Sequence, residues 1–254
     1  PLDSIANAIS ASNTYIAIAA NANKRNTIYV GGGMYSETLT TLPNQCDIIG
    51  VGCRTSWPTL IEGITTIGSI VVGCHIYNMH FHQVGTALPT ISIPTGSHGT
   101  WFTDCVISMG TSATIGLSFA GTCNTCKVIG CQFDGDAVFP IGINFTSCGN
   151  FNRIEDNYIN ATTTGINISD GSGDSDWGTL IKNNVICHCA VGNSTQLTTG
   201  ISFLDASGTQ AMVIGNYISA TDAISWASGT LTGDRERWMC LANRVGEGGS
   251  GSWE

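Results

Sequence analysis

Apolar positions along this chain fall into short alternating runs that return at a nearly fixed interval. One six-residue pattern reads apolar, any, any, then Asn, Cys or Met, any, apolar. It occurs at 76–81, 102–107, 128–133, 154–159, 181–186, 213–218 and 240–245. Its fourth positions, Met79, Cys105, Cys131, Asn157, Asn184, Asn216 and Asn243, stand 26, 26, 26, 27, 32 and 27 residues apart. A second pattern, a small residue followed by apolar, Ser or Asn, apolar, lies between the copies at 90–93, 116–119, 142–145, 165–168, 200–203 and 223–226. Both patterns are too short for helices and alternate with period two, so they predict strands.

A repeat of about 26 residues with two or three short strands cannot bury its apolar side alone. Stacked copies can, each strand pairing in parallel with its counterpart about 4.8 Å along the axis. The expected fold is all-β, a right-handed parallel β-helix of about eight to nine coils in a single domain, 1–254. Within it, residues 1–26 form a cap, 27–245 the coils and 246–254 a glycine-rich tail. A short helix at 4–12, starting near Ser4, covers the open strand edge. Ile91, Leu117, Ile143, Ile166, Ile201 and Ile224 should stack inside beside Ile93, Phe119, Phe145, Ile168, Phe203 and Trp226. The asparagines at fourth positions read as a structural column passing amide hydrogen bonds from coil to coil.

Outward positions separate into two kinds. Ser92, Ser118, Asn144, Asn167, Ser202 and Ser225 form a polar stripe, expected to be wet. His80, Val106, Gln132, Tyr158, Val185, Tyr217 and Arg244 form another ladder, flanked by Tyr77, Thr103, Ile129, Glu155, Lys182, Ile214 and Leu241. Half of this ladder is apolar or aromatic. It therefore predicts a face built around Tyr77, His80, Ile129, Tyr158, Ile214, Tyr217 and Leu241, either an interface of three-fold packed copies or a shallow glycan-binding surface.

Nine Lys plus Arg against eighteen Asp plus Glu give a net charge of -9, which argues against nucleic acid or an anionic membrane as partner. No run is long and apolar enough to insert in a membrane. The eleven cysteines are an odd number, several at equivalent repeat positions, so packed thiols and assembly in a reducing compartment are expected. Pro1 is the residue that removal of an initiator methionine would leave, which suggests a nearly complete chain.

Glycoside hydrolysis needs two converging carboxylates. Asp104, Asp134, Asp136, Glu155 and Asp156 are the candidates, with capping of turns as the plainer use. A lyase needs a basic residue near a neutralising group, and Arg153 and Lys182, one coil apart near Glu155, supply it. Asp170, Asp174 and Asp176 in a glycine-rich loop are a weak calcium candidate, better read as a solvated insertion. Cys123 with Cys126, and Cys187 with Cys189, lack the second pair a zinc site needs. His80 and His82 read as surface residues. No cofactor motif is present.

The segments Thr27-Ile-Tyr-Val-Gly-Gly-Gly-Met-Tyr-Ser-Glu37 and Cys46-Asp-Ile-Ile-Gly-Val-Gly52 resemble the opening coils of pectate-lyase-like β-helix proteins. That superfamily holds polysaccharide lyases, hydrolases and esterases as well as trimeric bacteriophage tailspikes and capsid decoration proteins, so the resemblance implies a fold and not an activity. With no convincing catalytic set, the expectation is a bacteriophage virion protein without a cofactor. It would form a homotrimer, assemble in the host cytoplasm beside other virion proteins, and bind a host-surface polysaccharide. The alternative is a polysaccharide-degrading lyase or glycoside hydrolase, or a secreted protein.

Overall fold

The computed structural model describes residues 3–53, 58–85, 87–110, 113–134, 138–169, 178–188, 196–204, 211–226 and 239–245. They form a parallel β-helix with one N-terminal helix. The first sheet has nine strands: Asn26–Val30, Cys46–Gly50, Cys74–Tyr77, Trp101–Thr103, Lys127–Ile129, Arg153–Glu155, Thr179–Lys182, Ala211–Ile214 and Met239–Leu241. Each pairs in parallel with the strand one coil away. A second sheet stacks the strands that follow, among them Thr59–Glu62, His80–Gln83, Val106–Met109 and Val185–Cys187. The third holds Thr65–Thr66, Ile91–Ile93, Ile115–Cys123, Phe139–Cys148, the latter part of Tyr158–Ile168, Leu197–Phe203 and Ala220–Trp226. Tyr158–Ile168 runs through both the second and third sheets. Turns with a strand on all three faces therefore number seven among the described residues, fewer than the eight to nine coils expected, because the first and last rungs have no third-face strand.

The helix, Ile5–Ile16, seats Ile5, Ile9 and Ser12 on the open end of the core. Ser4 Oγ accepts the Asn7 N–H at 3.1 Å, and the Glu37 carboxylate, from the first coil, accepts the N–H groups of Ile5 (3.0 Å) and Ala6 (2.9 Å). A carboxylate at a helix N-terminus satisfies orphan donors and meets the positive end of the dipole, so coil and cap are fixed to each other.

The inward ladders stack as the alternation requires. Ile91, Leu117, Ile143, Ile166 and Ile201 are fully buried, as are Ile93, Phe119, Phe145, Ile168 and Phe203. Ile224, near the open end, is only partly so. Phe119 and Phe145 stack at 4.5 Å between centroids.

The first and second sheets meet at a column of left-handed residues: Asn78, Asp104, Gly130, Asp156, Asn183, Gly215 and Ala242, with φ between 52° and 66°. Asn, Asp and Gly tolerate this conformation best. The residues that follow form the asparagine column. Asn157, Asn184 and Asn216 each direct backbone N–H and side-chain Nδ2 to the Oδ1 of the asparagine one coil on, at 2.9–3.0 Å.

Two expectations about outward faces are corrected. Ser118, Asn144, Asn167 and Ser202 are not wet; each is 9% exposed or less. These short side chains stack against their neighbours along the axis, and Asn167 Nδ2 donates to Asn144 Oδ1 at 2.8 Å. Nor are His80 and His82 free surface residues: both rings turn onto Ser108, and Val106 beside them is 7% exposed.

Candidate functional site

The outward face of the first sheet carries two columns. In one, Asp47, His75, Trp101, Lys127 and Arg153 succeed one another rung by rung, followed by Leu180, Met212 and Met239. In the other, Tyr77, Thr103, Ile129, Glu155 and Lys182 precede Ile214 and Leu241. One face is thus polar and charged over its earlier rungs and apolar over its last.

Contacts run along the charged part without a break from Arg25 to Lys127. Arg25 forms an ion pair with Asp47 and donates to the carbonyl of Gly73 at 2.8 Å. The guanidinium holds the Asp47 carboxyl below its ordinary value, and the hydrogen bond to Asp47 raises Arg25 in turn. The other partner of Asp47 is His75, whose Nδ1 lies 3.2 Å from Oδ1. Burial, with Arg25 nearby, lowers His75 to about 4 despite that carboxylate. It is therefore a neutral imidazole beside an anion, with Tyr77 Oη also 3.4 Å from its Nδ1. Its ring stacks on Trp101, centroids 3.6 Å apart, and Lys127 Nζ lies 3.6 Å from the indole centroid. Trp101 is itself oriented by its Nε1–H, donated to the Thr125 carbonyl at 3.1 Å. Burial and then Arg153 lower the pKa of Lys127.

Arg153 and Glu155 alternate outward on one strand, with Nη1 and Oε1 3.5 Å apart. That Oε1 has no hydrogen bond, so the contact is an ion pair without a bonded proton. Lys182 stands in register with Glu155 one rung on. Three cations, Lys127, Arg153 and Lys182, thus occupy consecutive rungs around one carboxylate.

The structure brings together Arg153, Glu155 and Lys182 of the residues singled out in the sequence, and separates the rest. Asp104 and Asp156 lie in the left-handed turn column, with φ of 52° and 56°, where Asp serves the backbone. Asp134 belongs to the second sheet side and accepts from Asn160 Nδ2 at 3.1 Å. Asp47 is four rungs from Glu155 along the face, about 19 Å at the rung spacing. Paired carboxylates act at about 5–9.5 Å, so Asp47 and Glu155 are too far apart to form a hydrolytic pair. Asp136, Asp170, Asp174 and Asp176 lie outside the described residues. Among those described, no three His, Cys, Asp or Glu side chains gather as a metal site. Cys123 and Cys126 are buried thiols that donate to backbone carbonyls, Cys123 to those of Pro94 and Ala120 and Cys126 to that of Asn124.

Of the expected apolar face, Tyr77, His80, Ile129, Tyr158 and Ile214 are half-buried, whereas Tyr217 and Leu241 are exposed. They lie on two adjoining sheets. Tyr77, Ile129, Ile214 and Leu241 belong to the first sheet, and His80, Tyr158 and Tyr217 to the second, across the turn column. The residues missed in the sequence are Asp47, His75, Trp101 and Lys127. The last three stand immediately before a copy of the six-residue pattern, a position that continues with Arg153, Leu180, Met212 and Met239.

The fold and the face together define a parallel β-helix with a cationic outer strip. No protein-family model and no curated protein matches the chain. Two solved structures of pectin methylesterase, each in complex with a hexasaccharide, are similar to it at 12% and 11% identity. They have TM-scores of 0.42 and 0.44 and cover 100% of this chain and 86% of theirs. The A-module of a mannuronan C-5 epimerase from Azotobacter vinelandii is similar at 11% identity with a TM-score of 0.27, over 96% of each chain. Likeness of this degree assigns neither ligand nor activity.

Proposed function

We propose that the protein binds an acidic polysaccharide along the outer face of the first sheet, as a component of a bacteriophage virion. One observation carries the binding: in a chain of net charge -9, Lys127, Arg153 and Lys182 lie on consecutive rungs of one face with a single carboxylate among them. A polyanion is repelled by most of such a molecule and attracted here. The axial repeat of about 4.8 Å sets the cations at intervals a linear chain of charged sugars can follow.

The test is calorimetric titration with polygalacturonate and with neutral dextran, repeated on Lys127→Met, Arg153→Met and Lys182→Met. Salt-sensitive binding of polygalacturonate alone, weakened about tenfold by each substitution, is the expected result. Equal binding of dextran, or unchanged affinity in the triple variant, refutes the reading.

Assembly into a trimer is supported by the apolar end of the same face, where Met212 is 38%, Met239 45% and Leu241 52% exposed. Light scattering at micromolar concentration decides it: a mass of three chains sustains the virion setting, and a stable monomer removes it.

A second reading, cleavage by β-elimination, is favoured by the lowered pKa of Lys127, the direction a basic lysine needs. The ultraviolet absorbance of an unsaturated uronate, lost in Lys127→Met, would establish it, and its absence in the titrated samples excludes it for this substrate.

A further inference from the structure

Across the turn column, on the second sheet, two imidazoles close on one hydroxyl. His80 Nε2 lies 2.6 Å from Ser108 Oγ, and His82 Nδ1 lies 2.8 Å from the same atom. His80 and His82 are the outward residues of strand His80–Gln83, and Ser108 is in register with His82 one rung on. Glu62 is in register with His82 on the other side.

A serine hydroxyl has one proton to donate, so it can give it to only one of the two rings. The other ring must donate its own N–H to Oγ. With His80 Nε2 taken as the acceptor at the shorter contact, His82 Nδ1–H is the donor. Burial, with His82 beside it, lowers His80 to about 4, so the ring is neutral throughout the neutral range and presents a lone pair to the hydroxyl, as a weak base. This is the arrangement of a nucleophile and its base, with a third group fixing the hydroxyl.

The geometry points to Ser108 as an acyl-accepting nucleophile, with His80 as its general base, acting on esters of short acyl groups. Oγ attacks the ester carbonyl carbon and forms a C–O bond while its proton passes to His80 Nε2. The bond from that carbon to the alcohol oxygen then breaks, and His80 returns the proton to the departing alkoxide. Water attacks the acyl-serine in the second half, gives its proton to His80, and releases the carboxylic acid as Ser108 is restored. Ser108 is 4% exposed and Val106 beside it 7%, so a long acyl chain has no room at the hydroxyl and the assignment is restricted to small acyl groups. Nothing in this assignment depends on the cationic strip of the first sheet.

The experiment is incubation of the full chain with p-nitrophenyl acetate at neutral pH. Release of p-nitrophenolate is followed, and the acetyl group is mapped by mass spectrometry of acid-quenched peptides. Acetyl on Ser108 is expected, with release falling about a hundredfold or more in both Ser108→Ala and His80→Gln. Acetyl found only on lysine, tyrosine or histidine side chains, or wild-type release from Ser108→Ala, overturns the assignment. A purely structural hydroxyl would lower the thermal midpoint of Ser108→Ala while the wild-type serine never acquires the acetyl group, which overturns it equally.

Discussion

The imidazole of His75 lies flat on the indole of Trp101, ring centroids 3.6 Å apart and planes within 2° of parallel. Lys127, one rung on, covers the opposite face of the same indole. Both faces being occupied, Trp101 is no platform for a sugar ring, and its contribution to binding is to hold the Lys127 ammonium in place. Trp101→Ala should therefore weaken polygalacturonate binding about as much as Lys127→Met, roughly tenfold. The double variant should lose no more than either single one, because both remove the same interaction. Calorimetry on the three variants measures this, and additive losses would mean that the indole touches the ligand itself.

Two half-buried imidazoles set a pH dependence. His75 and His80 are each lowered to about 4 from an ordinary value near 6.5, in both cases by burial first. Between those values the unfolded chain binds protons that the folded one does not, so acid favours unfolding. Stability is full above about pH 6.5 and declines as pH falls toward 4. Below that, protonation of Asp47, whose pKa is held down by Arg25, removes more. Urea midpoints measured from pH 7 down to 4 should fall, and His80→Gln should flatten the slope; a midpoint constant over this range would contradict the half-buried, neutral rings.

Asp156 separates a turn residue from a catalytic one. Its φ of 56° is a conformation that β-branched residues adopt only with strain. Asp156→Val should cost about 1–2 kcal/mol in urea unfolding. Asp156→Asn and Asp156→Gly should stay close to wild type, and all three should bind polygalacturonate unchanged. A loss of binding in Asp156→Asn with the fold intact would return the carboxylate to the site.

The same column explains what was readable in the sequence. Its third repeat position runs Asn78, Asp104, Gly130, Asp156, Asn183, Gly215 and Ala242, a composition that signals left-handed turns and explains why Asp104 and Asp156 share a place in the repeat. The coil period and inward ladders were equally legible, because burial imposes period two on Ile, Leu and Phe. The charged strip was not. Asp47, His75, Trp101 and Lys127 share no residue type, and only the strand register puts them in line. The convergence of His80 and His82 on Ser108 was hidden for a related reason, since the hydroxyl lies 26 residues on from His82 and meets it only through the stacking of coils.

The asparagine column should show a gradient of cost along the solenoid. Asn184 is fully buried; its Oδ1 accepts both N–H and Nδ2–H of Asn157, and its own Nδ2 donates to Asn216 Oδ1 and to the Ile154 carbonyl, all at 2.9–3.0 Å. Removing the amide leaves two donors and a carbonyl with no water to replace it, a loss of about 2–4 kcal/mol. Asn243 makes the same bonds to Asn216 and Val213, yet it is the last of the column and only partly buried. Water can satisfy the groups that Asn243→Ala uncovers, and the cost there should be about 1 kcal/mol or less. Urea unfolding of the two alanine variants tests this directly. Equal costs would mean that the column is held by packing of the coils and not by its amides, whereas the expected difference ties the stacking of successive coils to a single continuous line of side-chain hydrogen bonds.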